Sequence, residues 1–442
     1  MNIQLSDHFG YRRLLRFTLP SIVMMIFTNI YSAVDGFFVS NFVGITPFAA
    51  INLIWPFTQI LGSIGFMFGA GGSALVSATL GMGERERANR TFSMLTYGTV
   101  LTGSALAVIG LAFIEPIAVL MGADTELLPH CVIYGKILLV ALPVFMLQNL
   151  FQSFLVTAEK PTLGLWITVG AGMTNIALDA LFIIAFDWGL VGAAVATIIS
   201  QCVGGLVPLA YFIGRKAHTL RLGKAGFDLK ALSNASVNGS SELVTNVSIS
   251  VVAILYNCQL MKYAGEGGVA AYGAVMYVGY VFVSVFLGYS IGVTPVVGFH
   301  FGAQNHAELK SLFRKSNVLI FAASLALAAT AFALATPLSS LFMGNDAALT
   351  EMAITAFRYY AIAVLFCGFN IFGSAFFTAL NNGAVSAAIS FMRTLVFQIA
   401  AVMTLPLVFG LDGIWYSMFT AEALSVLVTA AFYAANRRRY RY

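Results

Sequence analysis

Residues 189–201, "GLVGAAVATIISQ", recur in outline as residues 410–422, "GLDGIWYSMFTAE", half a chain length further on. The correspondence continues outward from this pair. "TLGMGERERANRTF" (79–92) lies over "FHFGAQNHAELKSLF" (299–313), and "PIAVLMGAD" (116–124) over "PLSSLFMGND" (337–346), which puts Pro116 on Pro337. "SFLVTAEKP" (153–161) lies over "AFFTALNNG" (375–383), and Lys136 over Arg358. Identities are sparse, but order and spacing hold over most of the chain, the signature of an internal repeat.

Composition says what is being repeated. Of 442 residues, 59% are hydrophobic and only 9% charged, where a soluble domain carries about 25% charged residues. No water-facing globule hides that much apolar surface, so the chain reads as a polytopic membrane protein. A span needs about 20 apolar residues. Breaks at glycine, proline and charge clusters predict twelve: 17–43, 48–80, 91–114, 128–157, 164–186, 188–214, 240–263, 269–300, 317–341, 352–380, 385–409 and 413–434. Arg12, Arg13 and Arg16 precede an apolar run too long for a signal peptide, so the first span is expected to be retained.

Six spans per half is an even number, so both halves begin and end on the same side. They are then parallel repeats about an axis normal to the membrane. The expected fold is all-α and integral to the membrane: an N-lobe (1–214), a polar cytoplasmic linker (215–238) and a C-lobe (239–442), each lobe a six-helix bundle. Two such bundles facing one another are the architecture of alternating-access transport. A channel would more often be an oligomer around a pore.

Basic residues orient the chain. The N-terminus, the loop with Arg85, Arg87 and Arg90, Lys160, the linker with Arg215, Lys216, Arg221, Lys224 and Lys230, then Lys310, Arg314, Lys315 and the tail "NRRRYRY" all fall on one side. Opposite loops carry Glu115, Asp124, Glu126, Asp187, Asp346, Glu351 and Asp412, with Lys262 as the basic exception. Both termini are therefore expected in the cytoplasm. The net charge of +5 reflects this asymmetry and does not indicate nucleic-acid binding, since the basic loops lack interleaved aromatics. Four cysteines are scattered singly without metal or disulfide spacing, and five histidines form no zinc motif. No cofactor or structural metal is expected.

The repeat also isolates what symmetry does not explain. Asp35, in "NIYSAVDGFFVSNF" (29–42), lies over Tyr256, and Asp179 over Ala400 or Ala401. Thr197 lies over Met418 and Asn175 over Val396 or Phe397. A charge at a helix centre costs about 2.5–3.5 kcal/mol on insertion scales, so two acids peculiar to the N-terminal half point to function. Each has a polar neighbour four residues earlier on its own helix face, Tyr31 for Asp35 and Asn175 for Asp179. Thr197 and Gln201 are likewise four apart, and Gln148, Asn149 and Gln152 add polar candidates on span four. Pro20 is positioned to bend span one. Two acids in one cavity titrate as a coupled unit; coordination of Na⁺ by the same oxygens is the alternative. The plainer reading makes either acid a hydrogen-bonded structural residue near a span end.

Arg393 and Glu422 are placed at similar depth in spans eleven and twelve, where they would form an interhelical ion pair or serve a gate. "GYSIG" (288–292) matches a hydrolase elbow pattern but lies inside an apolar span, so small-residue helix packing is the expected role of Ser290. The glycosylation-type sequons fall on the cytoplasmic side or within a span and are expected to be unmodified. Most phenylalanines and methionines face lipid or pack helices, and some line an adaptable cavity.

"LPSIVMMIFTNIYSAVDGFFVSNFVG", "NIALDALFI" and "GIWYSMFTAEAL", in this order within a 6+6 repeat, resemble the MATE (multidrug and toxic compound extrusion) transporters, nearest the DinF-like and MepA-like bacterial branches. "VLMGADTELLPHCVIYGKIL" extends the likeness, which covers both halves. The resemblance implies a V-shaped pair of bundles in the bacterial inner membrane. Such a protein exports drug-like organic cations in exchange for H⁺ or Na⁺, as a monomer among membrane lipids and without enzymatic activity. It carries a family cation site onto Asp35, Tyr31, Asn175, Asp179 and Thr197, with Pro20 as the bending proline; Na⁺, if used, would sit at Asp35 and Asp179. The span-ten acid of some members is missing, since no Asp or Glu occurs between Glu351 and Asp412; Glu242 lies near the start of span seven and is left unassigned. A rival within the superfamily is a flippase for lipid-linked precursors, which would want cavity cations; Arg393, Lys136 and Arg358 are the candidates. An intramembrane enzyme would need a nucleophile–base pair or metal ligands on facing spans, and none is visible.

Overall fold

A computed structural model describes residues 3–214, 219–344 and 346–442. Within the predicted linker, Arg215 and Lys216 lie outside the described residues. Among the described residues there are helices and no strands, as lipid demands of backbone that must satisfy its own hydrogen bonds. The helices of the N-lobe are α1 Tyr11–Val43, α2 Ile45–Gly81, α3 Arg85–Leu120, α4 Leu127–Thr157, α5 Pro161–Ala185 and α6 Gly189–Ile213. Helix α4 is a single span bent by 57° where Leu127–Val140 meets Leu142–Thr157, with Pro143 just past the bend. In the C-lobe, Leu229–Gly302 runs for 74 residues, roughly 110 Å if straight and far too long for one crossing. Gly265, at φ 62° and ψ −155°, folds it into two spans, α7 (229–264) and α8 (266–302). Then follow α9 His306–Met343, α10 Ala347–Ala379, α11 Gly383–Phe409 and α12 Leu411–Tyr440.

These are the twelve predicted spans, each inside its helix to within a residue. One boundary differs. The sequence predicts a linker up to residue 238, whereas α7 begins at Leu229, capped by the Asp228 carboxylate accepting from the Ala231 N–H at 3.0 Å. Its serines and asparagines are small enough to pack: Ala235 is fully buried, and Asn238 donates to the Thr378 carbonyl at 2.8 Å. Residues 219–228 remain as linker and dock on α3, where the Arg221 N–H reaches Asn89 Oδ1 at 2.9 Å and the Gly223 N–H reaches Ser93 Oγ at 3.0 Å.

The repeat is visible in the joints. Gly44, at φ 125°, is the single residue between α1 and α2, and Gly265 holds the corresponding place between α7 and α8. Both backbones are left-handed, a region open to glycine without cost.

The lobes meet along α1, α2, α7 and α8, at the end of the bundle that carries the termini. A Cβ on Gly81 would strike the Phe299 carbonyl, one on Gly302 the Ala78 carbonyl, and one on Gly239 the Met67 carbonyl. Small residues here let backbones touch, which is how helices associate without a hydrophobic driving force. Residues 3–10 run across this seam. The Leu5 N–H donates to Glu159 of the N-lobe at 2.8 Å, while the Phe9 N–H donates to Glu308 of α9 at 2.9 Å. His8 Nδ1 meets Glu308 at 2.6 Å, Lys315 Nζ donates to the Phe9 carbonyl at 2.6 Å, and the Leu5 and Phe9 side chains are buried.

Candidate functional site

Helix α1 carries Tyr31 and Asp35 just before a π-helical stretch, Val39–Val43, and α5 carries Asn175 and Asp179 just before another, Ala180–Ala185. A π turn inserts one residue per hydrogen-bonded ring and shifts the face that follows, a device common at functional sites. Pro20 sits inside the α-helical Tyr11–Phe38, so α1 departs from α geometry at Val39–Val43 and not at its proline. Gly172 on α5 leaves room for the rings of Phe27 and Tyr31, bringing α1 close.

The result is an acid pair. The Asp35 carboxyl lies beside the Asp179 carboxyl and the Asn175 carboxamide, and Tyr31 neighbours Gln148. Asp179 is fully buried and Asn175 nearly so. Asp35 Oδ1, both Asp179 oxygens and Asn175 Nδ2 have no hydrogen-bond partner, and among the described residues no Lys, Arg or His pairs with either acid. Two adjacent carboxyls with no cation between them are satisfied by a shared proton or a small bound cation. Tyr134, buried on α4, faces both acids; no spacing rule marked this residue, because its contact is between helices.

The other polar candidates divide. Gln148, Gln152 and Gln201 are buried, each with an unpartnered Oε1. Asn149 instead donates to the Gly62 carbonyl at 3.1 Å and ties α4 to α2. Thr197 is half-buried on α6, and its hydroxyl makes no side-chain hydrogen bond among the described residues.

At the matching place in the C-lobe, chemistry is reversed. The Tyr256 hydroxyl meets Gln398 Oε1 at 2.9 Å and Ser417 Oγ at 2.6 Å, and its ring stacks on Tyr272 at 5.0 Å. That knot is neutral and satisfied, whereas the N-lobe equivalent is acidic and unsatisfied.

The sequence pattern of the MatE family matches residues 20–181 and again 243–404, once in each half. The chain belongs to the MatE family. Two relatives are named multidrug export protein MepA: that of Staphylococcus saprophyticus is 24% identical over 94% of this chain and 92% of its own length, and that of Staphylococcus aureus is 23% identical over the same shares. The structure described as the outward-facing conformation of a multidrug resistance MATE family transporter superposes with a TM-score of 0.93 at 21% identity, covering 100% of this chain and 98% of that one. The protein is thus a multi-pass membrane transporter of a multidrug efflux family, and not an enzyme.

Ser290 lies buried within α8, with no strand-to-helix elbow around it. Lys136 and Arg358 are exposed, the latter's guanidinium 5.4 Å from the Phe332 ring centroid. Arg393 Nε reaches both Glu422 oxygens at 2.9 and 3.0 Å, and its terminal nitrogen reaches Oε1 at 2.8 Å. Asn370 on α10 donates to Glu422 Oε2 at 2.8 Å and accepts from Thr429 at 3.0 Å. Arg393 comes from a third π stretch, Met392–Val396. Glu242 is half-buried on α7, one turn past the Gly239 crossing.

Proposed function

We propose that this MatE protein exports amphiphilic organic cations across a bacterial plasma membrane, as a monomer with cytoplasmic termini, in exchange for protons taken up by the Asp35–Asp179 pair. The observation that carries the reading is the contrast between the lobes: unpartnered acids in one, a neutral satisfied knot in the other. Structural repetition has no need of that difference, whereas an ion-coupled cycle does. The glycine seam and the strap of residues 3–10 join the lobes at the terminal end, so this conformation releases substrate on the opposite, outer side. Binding of the coupling ion then reorganises α1 through its π stretch and narrows the N-lobe face of the cleft, and cation and drug favour opposite states. A lipid-phosphate flippase is disfavoured, because Lys136 and Arg358 are exposed and Arg393 is held by Glu422.

The test is dye export by purified protein in liposomes under an imposed pH gradient. Wild type and Tyr256→Phe are expected to export, and Asp35→Asn is expected to fail. Export by Asp35→Asn at the wild-type rate would sink the assignment. Wild type silent until Na⁺ is supplied would transfer the same site to sodium.

A further inference from the structure

The two lobes repeat an aromatic knot at the terminal end of the bundle. In the N-lobe, Phe92 of α3 meets Phe154 of α4 at 4.7 Å and Phe212 of α6 at 4.8 Å between ring centroids. In the C-lobe, the corresponding Phe313 of α9 meets Phe376 of α10 at 5.0 Å and Tyr433 of α12 at 4.8 Å. What covers the helix face beside each knot differs. On α3 the linker lies across it: the Gly223 N–H reaches Ser93 Oγ at 3.0 Å, the Tyr97 hydroxyl donates to the Gly223 carbonyl at 3.1 Å, and Leu222 is buried. On α9 the equivalents of Ser93 and Tyr97 are Arg314 and Val318, and both are exposed. The tail after α12 packs the Tyr442 ring on Phe313 at 4.9 Å and leaves that face bare.

A groove of ≈ 530 Å³ runs along the bare face, lined by Arg314, Asn317, Val318 and Phe321 of α9 and by Phe369 of α10, beside Phe313. Its polarity is graded. Arg314, Val318, Phe321 and Leu325 recur at steps of four, three and four residues, one exposed face of a helix. The cation stands at the terminal end and the apolar side chains continue from it into the membrane. Arg314 lies about 4.5 Å outside the apolar span that begins at residue 317, the depth of phosphate head groups. From Arg314 to Leu325 is roughly 16 Å, about one leaflet of a hydrocarbon core ~30 Å thick. Among the described residues no carboxylate pairs with Arg314, with Lys310 one turn before it, or with Arg437, which lies near Tyr442.

We propose that this groove holds a phospholipid with an anionic head group, drawn from the leaflet on the side of the termini. One acyl chain lies over Val318, Phe321 and Phe369. The phosphate takes the Arg314 guanidinium, whose planar fork matches two phosphate oxygens, and Lys310 adds charge. Basic positions between helices at this depth are where anionic head groups are held. A zwitterionic lipid fills the same apolar wall, but its own cation meets unpaired cations, so head-group charge is what the site selects. The lipid thereby takes on the C-lobe the place that the linker takes on the N-lobe, and it pins α9 to α10.

The test offers the purified protein, in mixed micelles, phosphatidylglycerol or phosphatidylcholine carrying a diazirine on one acyl chain, and maps the adducts by peptide. In wild type, phosphatidylglycerol is expected to label residues 313–325 or Phe369 at least fivefold more than phosphatidylcholine at equal mole fraction. One cation at a membrane surface is worth about fivefold in attraction to anionic lipid, so Arg314→Gln should lower that preference about fivefold. Lys224→Gln, which removes an exposed cation from the linker, should leave it unchanged. Val318→Trp fills the groove and should abolish labelling there with both lipids. The ratio of the two lipids is read within each variant, so a change in protein yield does not bear on it. Equal labelling by both lipids in wild type, or an equal loss of preference in Arg314→Gln and Lys224→Gln, would overturn the site and leave the cations as diffuse surface charge. A crosslinked dimer with the α9 segment unlabelled would overturn it too, by giving the groove to a second copy of the chain.

Discussion

Arg393→Ala is expected to destabilise the C-lobe more than any exposed charge removal, and the geometry gives the size. In the native state Glu422 takes three short contacts from the guanidinium, with side-chain exposures of 14% for Arg393 and 8% for Glu422. Truncation leaves the carboxylate in the same enclosed place with Asn370 as its remaining side-chain donor. Breaking a buried pair in this way costs about 3–5 kcal/mol, whereas replacing both partners with apolar groups is often close to neutral. In a chain of this length, each kcal/mol moves the midpoint by about 1–2 °C, so thermal unfolding in detergent should fall by about 3–10 °C. Arg393→Met combined with Glu422→Leu should recover most of that loss. The discriminating quantity is the coupling energy of the double-mutant cycle, expected at about 2 kcal/mol or more. Additive losses, or a single variant within about 0.5 kcal/mol of wild type, would refute the reasoning.

Two further outcomes follow from the lobe interface. Gly81→Val and Gly302→Val place a branched side chain against a backbone carbonyl of the facing helix, so both should wedge the seam open. Maleimide labelling of Ser77→Cys, a fully buried position on α2, should then accelerate at least tenfold, and unchanged labelling would mean the seam does not govern access. Glu308→Gln weakens the charge-assisted bond from the Phe9 N–H, a bond of about 1.5–3 kcal/mol. Hydrogen exchange at that amide should quicken by about 10- to 100-fold; native protection in the variant would show that the strap is held by its buried side chains alone.

The twelve helices were legible because each needs a long apolar run, and the repeat was legible because a duplicated fold keeps its spacing. Asp35 and Asp179 stood out for a related reason: an acid in hydrocarbon is conspicuous in any sequence. The Arg393–Glu422 pairing followed from depth alone. What stayed hidden was set by contacts between helices. The start of α7 looks like linker because Asn238 and its neighbours are polar, and only their fit against α2 and the Thr378 carbonyl makes them helical interior. Tyr134 meets the acids from another helix, and Asn149 spends its amide on Gly62 instead of on the cavity. The π stretches shift hydrogen bonds by one residue and leave no compositional trace. Residues 3–10 have no periodicity, yet they are pinned by two carboxylates far away in sequence.

The single-residue joints at Gly44 and Gly265 have a consequence for recognition from outside. On the end away from the termini, α1 passes to α2, and α7 to α8, with no intervening loop, and α11 passes to α12 through Gly410 alone. At these three joints an antibody or a protease meets no flexible segment to grip or cut; the longest connection described on that end is the exposed run 121–126 between α3 and α4. A macromolecule directed at these joints must recognise rigid helix ends held by Gly44, Gly265 and Gly410.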